Sequence, residues 1–211
     1  MEEKPRYGIF INKKNQKKLA YYPCPKNANT STKLFFLKHL GLETKFIFIG
    51  DKIPLYKQKN SDFKGLENLI NFLPTKQPFA KIEADYKCCL VRDPLERFLS
   101  AFNNRILFHK DIAFMDHSID KILEKLENNL FENKHFLPQN YFLGNNLNYF
   151  SFYADVKNNK LFVEKVNDFF EKTVEFPRLQ VGGNKNNIKL KKYQINRLKK
   201  IYENDYRLLS G

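Results

Sequence analysis

The sequence predicts an α/β protein in three layers, a parallel sheet flanked by helices. Three observations predict it. Apolar runs of strand length recur at Leu19–Pro23, Phe46–Ile49 and Tyr86–Val91. Segments with apolar residues three and four apart lie between and after them. The composition, 42% hydrophobic and 15% aromatic in 211 residues, suits a chain with its own core, and residues 1–211 read as one domain.

The elements follow in order. Leu19–Pro23 is the first strand, and the turn-rich segment Cys24-Pro25-Lys26-Asn27-Ala28-Asn29 follows it. A helix begins near Thr30 or Ser31 and stops at Gly41. Its run Leu34-Phe35-Phe36-Leu37 is apolar on most sides, the mark of a buried helix. Phe46–Ile49 reads as a buried strand ended by Gly50-Asp51, and residues 51–80, with several prolines, as loops around at most one short helix. After the strand Tyr86–Val91, Asp93 caps a helix and Pro94 opens it; Leu95, Phe98, Leu99, Phe102 and Ile106 share one face. Ile119, Ile122, Leu123, Leu126 and Leu130 mark another helix. Tyr149–Tyr153 is a last strand, and helices around 159–174 and 191–209 close the chain.

The net charge of +14, from 37 Lys+Arg against 23 Asp+Glu, attracts anions: phosphorylated nucleotides, acidic glycans, nucleic acid or anionic lipid. Much of it lies in Lys13, Lys14, Lys17 and Lys18 and in Lys189, Lys191, Lys192, Lys199 and Lys200, which read first as solvated faces. A basic nucleic-acid-binding module is the competing class. No helix-turn-helix, zinc-finger or aromatic-basic RNA motif accompanies the charge, so nucleic acid is not the expected partner. Cys24, Cys88 and Cys89 form neither a disulfide framework nor a CxxC metal pair, which points to a reducing, cytoplasmic setting and no metal. No run reaches the ~18 apolar residues of a membrane span, and Met1-Glu2-Glu3-Lys4-Pro5 does not open a signal peptide.

Two strand–loop–helix junctions carry the functional reading. Ligands of open α/β sheets bind at the carboxyl ends of strands, where a helix N-terminus offers free N–H groups to an anion. The first junction, Pro25-Lys26-Asn27-Ala28-Asn29-Thr30-Ser31, combines small residues, two hydroxyls and one lysine. A capped turn with a surface lysine is the plainer alternative, and the pattern is no Walker A loop, so a P-loop kinase is disfavoured. The second, Val91-Arg92-Asp93-Pro94-Leu95-Glu96-Arg97-Phe98-Leu99-Ser100, sets Arg92 at a strand end, with Ser100 two turns along the helix. Arg92 and Arg97 pairing with Asp93 and Glu96 on the surface is the alternative, and for Arg97 it stands equal to a functional role.

Together these segments resemble the PAPS-dependent sulfotransferases, where PAPS is 3'-phosphoadenosine-5'-phosphosulfate. PKNANTS is similar to their 5'-phosphosulfate loop, usually PKxAGTS, and VRDPLERFLSAF to their 3'-phosphate motif. His135-Phe136-Leu137-Pro138-Gln139 resembles a segment of the carbohydrate O-sulfotransferases, Golgi-type and bacterial, and Ile201-Tyr202-Glu203-Asn204-Asp205-Tyr206 resembles the closing helix. The four, in order, span residues 19–209. Asn29 stands where the family usually has glycine, and asparagine tolerates a left-handed backbone.

The resemblance implies a P-loop-like sulfotransferase fold and sulfuryl transfer from PAPS to an acceptor hydroxyl, in a glycan or another hydroxyl-bearing molecule, with PAP, the 3',5'-bisphosphate, as product. Pro25, Lys26, Asn27, Ala28, Asn29, Thr30 and Ser31 would cradle the 5' side, and Lys26 would neutralise the leaving oxygen. Arg92 and Ser100 would hold the 3'-phosphate. His135 is the implied general base, with Glu83, Asp85 and His109 as alternatives, and Gln139 could donate to a sugar. Gly182 and Gly183 offer a hinge and Lys185 a phosphate contact, against the simpler reading of a plain loop. A sulfotransferase-like protein that binds PAP or glycan without turnover is the nearer alternative.

Overall fold

The computed structural model describes residues 7–12, 14–41, 46–49, 52–56, 82–111, 118–131, 133–178 and 188–210, and for 46–49 and 52–56 the backbone alone. Strand β2 (Lys18–Tyr22) buries residues on both faces, Leu19 and Tyr21 to one side and Ala20 and Tyr22 to the other. Strand β5 (Tyr86–Val91) does the same with Cys88 and Leu90 against Cys89 and Val91. Side chains alternate along a strand, so a run apolar at every position must be covered twice. The four-stranded sheet has the order β1 (Gly8–Ile11), β2, β5, β6 (Phe152–Asp155). β2, β5 and β6 are parallel; β1 adds an antiparallel edge.

One face is covered by α1 (Asn29–His39) and α5 (Lys160–Phe170), which bring Phe35, Phe36, Phe162, Val166 and Phe169. Phe36 stacks on Phe10 at 3.9 Å. The other face receives α4 (Asn140–Leu143), the 3-10 turn Leu147–Tyr149 and Leu208 of α7 (Glu203–Ser210). Beside the sheet, α2 (Pro94–Ala101), α3 (Ile119–Glu127) and α6 (Lys192–Ile201) share a third apolar cluster around Phe98, Leu123, Phe136 and Tyr202. The expected three layers are therefore present.

Several boundaries differ. β1 was not expected. Phe46–Ile49 is a strand, but it pairs with β4 (Lys52–Tyr56) in a separate two-stranded antiparallel sheet, and β4 falls where loops were expected. The rest of that loop region, 51 and 57–80, lies outside the described residues. The helix after β5 changes pitch and continues as a π-helix, Phe102–Phe108. Leu130 is exposed, three residues beyond the end of α3. The last strand is Phe152–Asp155, because Leu147–Tyr149 coils into the 3-10 turn. The closing helix breaks at Tyr202, whose hydroxyl donates to the Phe136 carbonyl at 2.8 Å.

His39 is wedged between Phe35 and Phe170, ring centroids 4.7 and 4.6 Å away. Burial, then the Lys172 ammonium, holds its imidazole down to about 4. A folded-state value below the ordinary ~6.5 means that the stability from the neutral ring is full above pH ~6.5 and is lost as pH falls towards 4, up to about 3 kcal/mol. His39→Leu removes that linkage. Urea unfolding at pH 7 and 4.5 should show the wild type losing more stability than the variant; parallel losses would contradict the assignment.

Candidate active site

The loop between β2 and α1 doubles back sharply. Lys26 and Ala28 take left-handed backbone, φ +70° and +56°. These two positions, not Asn29, carry the left-handed turn, and Asn29 is already the first residue of α1. Left-handed alanine and lysine cost on the order of 1 kcal/mol each. The fully buried Asn27 between them offsets that cost, its amide donating to the Leu90 carbonyl at 2.8 Å and to Gln139 Oε1 at 2.7 Å. Such turns gather N–H groups into anion-binding concavities. Helix α1 starts with no side-chain cap; its first internal bond runs from Thr32 N–H to the Ala28 carbonyl. The N–H groups of Asn29, Thr30 and Ser31 lie ahead of that bond, in the first turn of the helix. Thr30 is half-buried and Ser31 buried.

The second junction forms as the sequence indicates. Asp93 caps α2, accepting from Glu96 N–H at 3.0 Å, and Pro94 occupies the first turn. The half-buried Arg92 extends Nη1 to the Lys26 carbonyl at 3.1 Å, and Glu96 stands 3.8 Å from its Nε. The carboxyl ends of β2 and β5 are thereby joined through the two proposed anion-binding residues. Burial lowers the pKa of Arg92, while Glu96, Asp155 and Asp93 oppose that shift. Ser100 is half-buried in the last turn of α2, before the π-helix.

Arg97 plays neither role expected of it. It is 1% exposed and pairs with neither Asp93 nor Glu96 through any recorded bond. Its Nε donates to the Pro25 carbonyl at 3.0 Å, and its Nη2 to the carbonyls of Leu137 at 2.6 Å and His135 at 3.4 Å. Burial opposes its charge, but Cys24, Asp205 and Tyr202 outweigh burial and hold it protonated. Burial pushes the Cys24 thiol up to about 12. Asp205 itself is pushed up by burial, with Arg97 and backbone N–H groups opposing. Asn140 N–H donates to it at 2.9 Å.

Gln139 completes the joint. Fully buried, it accepts from Asn27 and from Arg92 N–H at 3.0 Å, and donates to the Arg92 carbonyl at 2.7 Å. It does not face an acceptor sugar, as sequence reasoning allowed; it locks the three motifs together.

His135 is half-buried. Its N–H donates to Asn133 Oδ1 at 3.0 Å, and Asn133 donates to Asp111, which Arg105 grips with two bonds of 2.7 and 2.6 Å. Its buried Nδ1 has no hydrogen-bond partner among the described residues. Burial first, then the charges of Lys26 and Arg105, holds the ring neutral, its pKa lowered to about 3. The ring thus lies within the electrostatic influence of the proposed catalytic lysine. Among the alternatives, Asp85 caps the start of β2 through Lys18 N–H, at the amino end of the sheet. Glu83 also precedes β5, and His109 is exposed beyond the π-helix. Gly182, Gly183, Lys185 and His117 lie outside the described residues. No group of three or more potential metal ligands occurs among the described residues.

Sequence reasoning missed Arg97, Gln139 and Asp205 as organisers. Each sits beside another polar residue, Glu96, Asn140 and Asn204, and finds its partners far away in sequence, so nothing local set it apart. The sulfotransferase family profile matches residues 8–210. Among curated proteins and solved structures, none matches the chain.

Arg97→Ala should cost about 3–5 kcal/mol, because it leaves the carbonyls of Pro25 and Leu137, and the weaker-bound one of His135, without their donor in a buried place. Arg97→Lys should recover only part, since one ammonium cannot reproduce the fork. Denaturant unfolding of the three chains checks this; an alanine variant within 1 kcal/mol of wild type would contradict it.

Proposed function

The chain belongs to the sulfotransferase family, and we propose that it moves a sulfuryl group from PAPS to a hydroxyl of a carbohydrate acceptor. The observation that carries this reading is the 3.1 Å bond from Arg92 to the Lys26 carbonyl, which joins the two anion-binding junctions into one site. The family profile covers the chain nearly end to end, which supports one catalytic domain over residues 1–211. Among the described residues no helix is long and apolar enough to cross a membrane. The three thiols, buried and unbridged, fit a cytoplasmic setting.

The chemistry is an in-line displacement with an anionic transition state, so positioning and charge supply most of the catalysis. The acceptor oxygen forms a bond to sulfur as the bond from sulfur to the bridging oxygen breaks; PAP leaves with that electron pair. Lys26 neutralises the charge gathering on the bridging oxygen. Backbone N–H groups at the start of α1, with Thr30 and Ser31, hold the 5'-phosphate. Arg92 and Ser100 hold the 3'-phosphate. His135 takes the acceptor's proton. It is neutral across the physiological range, so it is available as a base, and the nearby cations keep it a weak one.

Binding and rate separate the roles. PAP should raise the melting temperature far more than AMP, through the 3'-phosphate. Lys26→Ala should lower kcat roughly a hundredfold or more and leave PAP affinity within a few fold, because its contact strengthens as the leaving group departs. Arg92→Ala should weaken PAP about tenfold or more and spare the chemical step. Wild-type kcat in both variants at saturating PAPS would refute these roles.

The pH dependence tests His135. Lys26 and burial depress its pKa in the free protein, so the acidic limb of kcat/KM should lie well below 6.5. Bound PAPS places negative charge beside Lys26, which relieves the repulsion and raises the value. The acidic limb of kcat should therefore lie at higher pH than that of kcat/KM, and His135→Ala should abolish it while PAP still binds. A variant within a few fold of wild type would assign the proton to another group.

A further inference from the structure

Three successive parallel strands deliver one cation each to the same edge of the sheet. Lys26 follows β2, Arg92 follows β5, and Lys157 follows β6. Val91 at the end of β5 is in register with Asp155 at the end of β6, and the Val156 N–H continues the pairing to the Val91 carbonyl at 2.9 Å. Lys157 thus emerges one strand over from Arg92, and neighbouring strands lie ~4.8 Å apart.

The two cations share one anion. The Glu96 carboxylate pairs with Lys157 through one oxygen, and its other oxygen lies 3.8 Å from Arg92 Nε. Glu96 is four residues before Ser100 on α2, so the two share a helix face. The carboxylate therefore stands between the two groups assigned to the 3'-phosphate. Arg92 also lies within the influence of Asp155 and Asp93, and of the Arg97 guanidinium. Both carboxylates are fixed by turns: Asp93 accepts from Glu96 N–H at 3.0 Å, and Asp155 from Lys157 N–H at 2.7 Å. A phosphate dianion beside Arg92 meets three carboxylates against Arg92 and the buried Arg97, whose N–H groups are committed to backbone carbonyls, unless an accessible second cation joins it. Lys157 stands ready for that: its backbone is fixed, its side chain is 70% exposed, and its charge is already directed at Glu96.

We propose that Lys157 is a second cation of the 3'-phosphate subsite, a specificity residue that exchanges the Glu96 carboxylate for the phosphate monoester of the nucleotide. This rests on the sulfotransferase reading of Arg92 and Ser100. Glu96 then acts as an internal competitor, holding both cations until a doubly charged phosphate displaces it. A nucleotide without the 3'-phosphate gains nothing from Lys157.

Calorimetric titration of PAP and AMP into the full chain and into K157A, K157E and E96Q tests this. The wild type should bind PAP well ahead of AMP. K157A should weaken PAP roughly fivefold and leave AMP unchanged, with K157E weaker still for PAP. E96Q, with the competitor neutralised, should bind PAP more tightly. Equal wild-type binding of PAP and AMP would sink the sulfotransferase reading of the site itself. Wild-type preference for PAP that survives intact in K157A and K157E would overturn the role of Lys157 alone. An E96Q variant that binds PAP no better than wild type would overturn the competition.

Discussion

A single buried guanidinium holds the site together. Arg97 reaches from α2 into the turn after β2 and into the 135–137 segment, which are separated by more than a hundred residues of chain. Each is irregular backbone, and irregular backbone under a sheet edge leaves carbonyls that need donors. A rigid fork of five N–H groups can serve several such carbonyls at once. The charge that comes with it is answered by Asp205 on the closing helix. The closing helix is tied to the segment after Leu137 through the bond from Asn140 N–H to Asp205 at 2.9 Å. Without the guanidinium, the carbonyls of Pro25 and Leu137 would need water where Phe136, Tyr202 and Cys24 are all buried.

Gln139 and Asn27 refine what Arg97 assembles. The left-handed turns at Lys26 and Ala28 are unfavourable in isolation, and Asn27 pins them by bonding inward. Gln139 uses both ends of its amide, accepting from Asn27 and Arg92 and donating to the Arg92 carbonyl. The result is a loop whose N–H groups are organised before any anion arrives, so binding is not charged with ordering them. Burial is the main reason that the His135 ring is held neutral, and the charge of Lys26 adds to it.

Local patterns made the layers of this fold readable. β5 and the cap and opening of α2 stand where the alternation and the Asp93-Pro94 pair put them, because each depends on neighbours in sequence. Asn27, Arg97, Gln139 and Asp205 were not readable as a network, because each is defined by partners tens to more than a hundred residues away. For Arg97 the sequence left surface pairing with Asp93 and Glu96 level with a functional role; burial decided against the pairing, since a buried fork finds carbonyls more readily than exposed acids. β1 was missed because four residues at a sheet edge carry little periodicity. The Asn29 substitution drew attention to the wrong position: the left-handed strain sits one and three residues earlier, where side-chain anchoring by Asn27 replaces glycine's freedom.

The most direct test of the account is transfer itself. The protein is incubated with PAPS labelled in its sulfuryl sulfur and a panel of neutral and acidic glycans, and both label and nucleotide are followed. The account predicts that label appears on a hydroxyl of at least one glycan while PAP accumulates in equal amount, with both signals lost in Lys26→Ala. A protein that binds the nucleotide yet leaves every label on PAPS across the panel would contradict it and mark the chain as a binding protein built on the sulfotransferase fold.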